Sequence, residues 1–149
     1  RSVLHGRAVG VGVHRLHVQH GARARLAQRA GRALRILGGL TRGGQPEDPG
    51  LAPVAAIAEC LGRAGIAAAD LAAAEVMEAY AVQAIACVEG ARLDPARVNG
   101  GGGALARGHP IGASGAILAV RLFHDLHSGT GLAAIAAAGG LGTALLLES

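Results

Sequence analysis

The densest chemistry in this 149-residue chain lies in one stretch, Val98 to Leu118, which reads VNGGGGALARGHPIGASGAIL. At its centre, Gly108-His109-Pro110 sets an imidazole between a residue that leaves access and a proline that confines the histidine to extended angles. Gly112, Ser114 and Gly115 then lead into a helix N-terminus, where backbone N–H groups favour negative charge. A fixed imidazole beside a helix dipole suits donation to an oxyanion. The same residues equally suit a histidine that braces a tight turn, and both readings stand. Gly100 to Gly103 let the backbone approach a ligand or another strand closely. As a dinucleotide fingerprint they are weak, because ALARGHP does not start a regular helix and no acidic residue sits at ribose distance before the next one.

Other reactive residue types point to little. His14, His17 and His20 are spaced three apart, which spreads them around a helix or alternates them across a strand, with no carboxylate or thiolate near, so no metal site is expected. Cys60 and Cys87 form no CxxC and read as inert core thiols. All 14 basic residues are arginine, so the lysine of a phosphate-binding P-loop is missing, and one Tyr and one Phe make no stacking platform for nucleic acid.

The elements that must position these residues are built from small side chains, 51% hydrophobic with 1% aromatic, a composition suited to helices lying close on a sheet within a single domain. Charge is uneven. Nine Arg from Arg1 to Arg42 precede the first acid, Glu47, and the remainder carries five Arg against ten acids, giving the net +4. Arg25, Arg29 and Arg32 share one face of an expected basic helix from about Ala22 to Leu37, with Leu26, Ala30, Ala33 and Leu37 on another. That face is either solvated or a dock for the phosphates of a ligand such as coenzyme A, an acidic chain or an anionic membrane surface. Gly38, Gly39, Gly43, Gly44, Pro46 and Pro49 then read as a linker or mobile loop.

Arg7 to His17 is partly alternating and β-branched, a strand. From Leu51 a helix is expected, with Pro53 in its first turn and Gly62 and Gly65 closing it. Ala74 to Met77 reads as a buried strand, Ala79 to Glu89 and Ala116 to His127 as helices, and Gly131 to Ala138 and Gly142 to Leu147 as an antiparallel hairpin about Gly139 and Gly140. The sum is an α/β layer with crossovers that call for mostly parallel pairing, and chemistry at the strands' carboxyl ends: Met77-Glu78-Ala79, Gly100 to Gly115 and Ala136 to Gly142.

Three of these segments together resemble the thiolase family. VNGGGGALARGHPIGASGAIL is similar to its asparagine, glycine pair and GHPxGASG; MEAYAVQAIACV at 77–88 to its NEAFAxQ; and GLAAIAAAGGLGTALLLE at 131–148 to the strand-turn-strand carrying CxGGGxG. The resemblance covers about Gly6 to Glu148 and implies half of a thiolase-like layered α/β fold, a mixed five-stranded sheet covered by helices. The whole of 1–149 is then one thiolase C-terminal-like domain, with an Arg-rich insertion and Gly/Pro linker at about 21–50.

The resemblance further implies acyl-CoA chemistry: Claisen condensation or thiolysis, with coenzyme A or acyl-CoA as substrate and no covalently bound cofactor. In the family, a nucleophilic cysteine comes from the N-terminal half, a second cysteine moves the α-proton, and the histidine of GHP and asparagine of NEAF form an oxyanion hole. By position the histidine is His109, the asparagine is replaced by Met77 and the acid/base cysteine by Ala136. Neither a thioether nor a methyl can do that work. Glu78, Gly108, Pro110, Gly139 and Gly140 fall in the substrate loops, Glu78 as a structural carboxylate. This chain alone is expected to be inactive. It reads either as the C-terminal half of an acyltransferase completed by an N-terminal-half chain, or as a catalytically degenerate subunit with a binding or scaffolding role, alone or as a homo-oligomer; an Arg-helix anion binder is the third reading. No apolar run reaches the length of a membrane helix, no secretory signal is read in the first residues, and a reducing, cytoplasmic setting is expected.

Overall fold

A computed structural model describes residues 31–149. The strand expected at Arg7 to His17, the three spaced histidines and the greater part of the basic helix lie outside the described residues. From Arg35 the chain forms β1 (Arg35–Gly43), α1 (Ala52–Ala64), β2 (Leu71–Val76), α2 (Ala81–Gly90), the single turn α3 (Ala104–Arg107), α4 (Ser114–Asp125), β3 (Thr130–Ala137) and β4 (Leu141–Glu148). The strands make one four-stranded mixed sheet in the order β1-β4-β3-β2. Among the described strands, β2 and β3 run parallel, joined by the crossover through α2 and α4; β3–β4 and β1–β4 are antiparallel.

Two expectations change here. The sheet has four strands among the described residues rather than five, and parallel pairing is the minority. More instructive is β1, whose residues were expected to end the basic helix and open the linker. Gly38 and Gly39 carry no side chain, so this strand shows no hydrophobic alternation to read. It forms because β4 offers a full ladder from Glu148 to Leu141, and that pairing overrides the helical reading of Arg35 to Leu37. A register shift between Ile36 and Gly38 accommodates the irregularity. Thr41 and Thr143 hydroxyls meet at 2.9 Å, Arg35 Nε donates to Glu148 Oε2 at 2.7 Å, and Arg42 reaches Glu59 on α1 at 2.6 Å.

Helices α1, α2 and α4 form where expected; the single turn α3 does not, because it lies within ALARGHP, where no regular helix was expected, between Gly103 and Gly108. Pro53 sits in the first turn of α1, and Gly65, left-handed at φ 69°, caps its end. Ala56, Ile57, Cys60 and Leu61 of α1 bury one stripe against Ala74 and Val76 of β2, Leu132 and Ala134 of β3, and Ala144 and Leu146 of β4. On the opposite face of the sheet, α4 presents Leu118 and Leu122, followed by Leu126, to Ala133 and Leu147. Among the described residues, one face is thus covered by α1 and α2, the other by α4 over β2 and β3. The uncovered strip is an open apolar groove between α4 and the β4–β1 edge, bordered by Leu34, Ile36, Val120, Phe123 and Leu145. No helix among the described residues is long and apolar enough to cross a membrane.

A charged pair sits inside this frame. Glu75, 2% exposed on β2, accepts from Arg121 Nε of α4 at 3.1 Å. Sequence spacing pairs Arg121 with Asp125 on the surface, but that contact is the longer one, 3.7 Å. Burial pushes the Glu75 carboxyl up, with the Arg121 hydrogen bond pulling the other way. A carboxyl raised in the folded state binds its proton more tightly there than in the unfolded chain, so its contribution to stability falls as pH rises through the carboxylate range. Urea unfolding of the parent chain and Glu75→Gln across that range should show the parent losing stability relative to the variant as pH rises; a constant difference would refute it.

Candidate functional site

Chain geometry gathers the candidate residues at one end of the sheet. Parallel pairing of β2 with β3 puts Met77 to Tyr80 beside the carboxyl end of β3, where Ala136 and the Gly139-Gly140 turn lie. Helix α4 runs back against β3, with Leu122 of its second half and Leu126 just past its end packed over Gly131 at the strand's start. The start of α4, and with it the Gly108 to Ser114 loop, therefore stands at that same carboxyl end.

His109 is exposed, and its Nδ1 lies 2.6 Å from the Oγ of buried Ser114. Gly108 has φ 93° and ψ 165°, a region open essentially to glycine alone, which turns the chain from α3 into the extended His109-Pro110 segment. The Pro110 carbonyl accepts the N–H groups of Ala113 and Ser114, both at 2.9 Å, and begins the first turn of α4. The site thus holds an imidazole anchored through one nitrogen at a helix N-terminus.

A latch of hydrogen bonds fixes the loops around it. Asn99 pairs with both backbone groups of Val76: its Oδ1 accepts from Val76 N at 2.8 Å and its Nδ2 donates to Val76 O at 2.9 Å. The same Nδ2 lies 2.7 Å from Glu78 Oε1, while Glu78 Oε2 accepts from Leu105 N at 3.0 Å. The Glu78 carboxyl lies against Gly103, where any Cβ would fall inside it. Arg121 is tucked under Gly101 in the same way. Glu78 therefore holds the strand end to the glycine loop with both of its oxygens occupied. A second clasp runs through Gln83, whose Oε1 accepts from Ala79 N at 3.0 Å and whose Nε2 donates to Gly50 O at 3.2 Å. Asn99, Gln83 and the Glu75–Arg121 pair were not singled out from sequence, and Ser114 was read only as part of the approach to a helix N-terminus, not as a partner of His109. The available signals were a lone glutamate inside the apolar run AAAEVM and polar residues within the motifs themselves.

Met77 turns away from any polar role. It is 3% exposed and packs with Leu118, Leu122 and Ala133 in the α4-side core, its N–H donating to Ala134 O at 2.9 Å. Ala136 is half-buried opposite Gly142, and strand alternation puts it on the row of Leu132 and Ala134, the α1-side face. Gly139 and Gly140, at φ 83° and 76°, form the turn that a tight β3–β4 hairpin demands, held by Gly44 N donating to Gly140 O at 2.6 Å. Cys60 and Cys87 are buried on the α1 side, and burial pushes both thiols up, away from the thiolate form. Among the described residues, no cluster of His, Cys, Asp or Glu has the makeup of a metal site.

Residues 32–149 match the family model described as thiolase, C-terminal domain. The chain belongs to the thiolase family. As a thiolase C-terminal domain, it is 40% identical over 109 residues to beta-ketothiolase BktB of Cupriavidus necator, covering 71% of this chain and 28% of that protein. It is 37% identical over 118 residues to the mitochondrial 3-ketoacyl-CoA thiolase of Bos taurus, covering 77% and 30%. Its fold superposes on the crystal structure of Acat5 thiolase from Ascaris suum in complex with coenzyme A, with TM-score 0.77, 38% identity and coverage of 84% and 34%. The chain thus spans about a third or less of the length of these relatives.

Proposed function

We propose that this chain supplies the C-terminal half of a thiolase-type acyl-CoA acyltransferase, working against an N-terminal half that brings the nucleophilic cysteine and most of the coenzyme A site, on another chain or elsewhere in a longer one. The observation that carries this reading is the exposed His109 ring, anchored by Ser114 at the carboxyl edge of the sheet, where an oxyanion donor is needed. In that role His109 meets the thioester oxygen as negative charge grows there. The nucleophile must come from outside, since both cysteines are buried on the α1 side. The groove beside α4 supports the same reading, because a layered α/β unit packs both faces of its sheet and the lining from Leu34, Ile36, Val120, Phe123 and Leu145 is apolar enough to receive a further helix. Free buried thiols fit a reducing compartment, which we take to be the cytoplasm.

Met77 and Ala136 favour a second reading, a degenerate subunit that binds acyl-CoA or scaffolds a partner without chemistry. Native mass spectrometry of the chain isolated gently from its source separates the two. A Cys-bearing thiolase N-terminal half in fixed ratio supports the first; the complex should then cleave acetoacetyl-CoA, and His109→Ala should lower that rate by about 10²- to 10³-fold. A chain that runs alone or as a homo-oligomer, without turnover, leaves the second.

A further inference from the structure

We propose that Ser114 is the positioning residue that fixes the tautomer of His109, holding Nδ1 as an acceptor so that Nε2 carries the proton and faces outward as a donor. This deepens the oxyanion reading above and rests on it for its purpose, though not for its test. Ser114 Oγ has one proton and two neighbours, His109 Nδ1 at 2.6 Å and Pro110 O at 3.0 Å. The Pro110 carbonyl already receives two backbone N–H donors at 2.9 Å, which fill its lone pairs. The hydroxyl proton is therefore better placed on Nδ1, the shorter contact, and a nitrogen that accepts there cannot also be protonated in the neutral ring. Had the proton gone to Pro110 O, Nδ1 would be the donor and Nε2 a bare lone pair, a base instead of an oxyanion donor. Ser114 is buried and opens α4, so the hydroxyl is held by the helix itself while the ring it orients remains exposed.

The tautomer can be read directly from the ring nitrogen and carbon-bound proton correlations of ¹⁵N-labelled chain, at a pH where the imidazole is neutral. The parent chain should show His109 in the single Nε2–H form. Ser114→Ala should lose that restriction and show averaging between both tautomers, as in a free imidazole, and Ser114→Thr, which keeps the hydroxyl, should restore the parental pattern. A parent chain with Nδ1 protonated overturns the proposal outright, whether or not any variant folds. An unchanged pattern in folded Ser114→Ala overturns it as well. Because the readout needs neither partner nor turnover, a fixed Nε2–H tautomer in a chain that never supports catalysis would sink the acyltransferase reading and leave this one standing.

Discussion

Gly142→Ala should destabilise this domain by about 3 kcal/mol, at the upper end of what overpacking a core costs. Gly142 is buried at the start of β4, paired with Ala136 on one side and Arg42 on the other. A Cβ there would overlap the Ala52 carbonyl and lie 2.7 Å from Pro53 N. Those atoms are backbone in the first turn of α1, so no rotamer change relieves the clash. Helix α1 would have to lift off the sheet, and with it Ala56, Ile57, Cys60 and Leu61, the stripe that fills the larger core. Gly62 provides the control within the same helix: a Cβ there meets nothing, and Gly62→Ala should instead stabilise by up to about 1 kcal/mol through helix propensity. Urea unfolding with unchanged slopes measures both, and a Gly142→Ala midpoint within error of the parent would refute the packing argument. The glycine that ends the AGGLG stretch is thus needed for the approach of a helix to a strand, a role independent of catalysis.

That distinction explains what could and could not be read from the sequence. Elements with a periodic apolar face or clear turn signals were legible: α1 from Val54, Ile57 and Leu61, α4 as the stretch from Ala116 to His127, the hairpin from Gly139 and Gly140. β1 was not, because Gly38 and Gly39 remove the side chains that report a strand and its partner β4 lies about a hundred residues away. The site was legible as motifs but not as contacts. Glu78 was placed as a structural carboxylate, yet its partners Asn99 and Leu105 lie more than twenty residues on, across a crossover that spacing rules cannot span. Arg121 shows the reverse error, in which a local i,i+4 partner is evident and the buried Glu75, 46 residues earlier, is the closer one.

Installing a thiol at Ala136 should have the largest effect on activity. With a Cys-bearing thiolase N-terminal half bound, Ala136→Cys should raise acetoacetyl-CoA thiolysis by about 10²- to 10⁴-fold over the parent complex, the usual worth of a positioned acid/base group. The position can accept it: Ala136 is half-buried near the end of β3, and Gly142 opposite adds no side chain to compete for space. Met77→Asn is a different substitution in physical terms. Met77 fills the α4-side core beside Leu118 and Leu122, so a carboxamide there is buried without an evident partner and should cost about 1–3 kcal/mol of stability. Its contribution to rate should therefore appear only on top of Ala136→Cys, and be smaller. The measurement is initial thiolysis rate for the parent, both single variants and the double variant, each with complex formation verified by native mass spectrometry. If Ala136→Cys forms the complex and stays at the parental rate, the deficit is not one missing thiol. The commitment of Met77 to the core then becomes the better account, because a residue that holds α4 to the sheet has left the reacting centre altogether, and the retained GHPIGASG would serve the fold and the binding of a thioester.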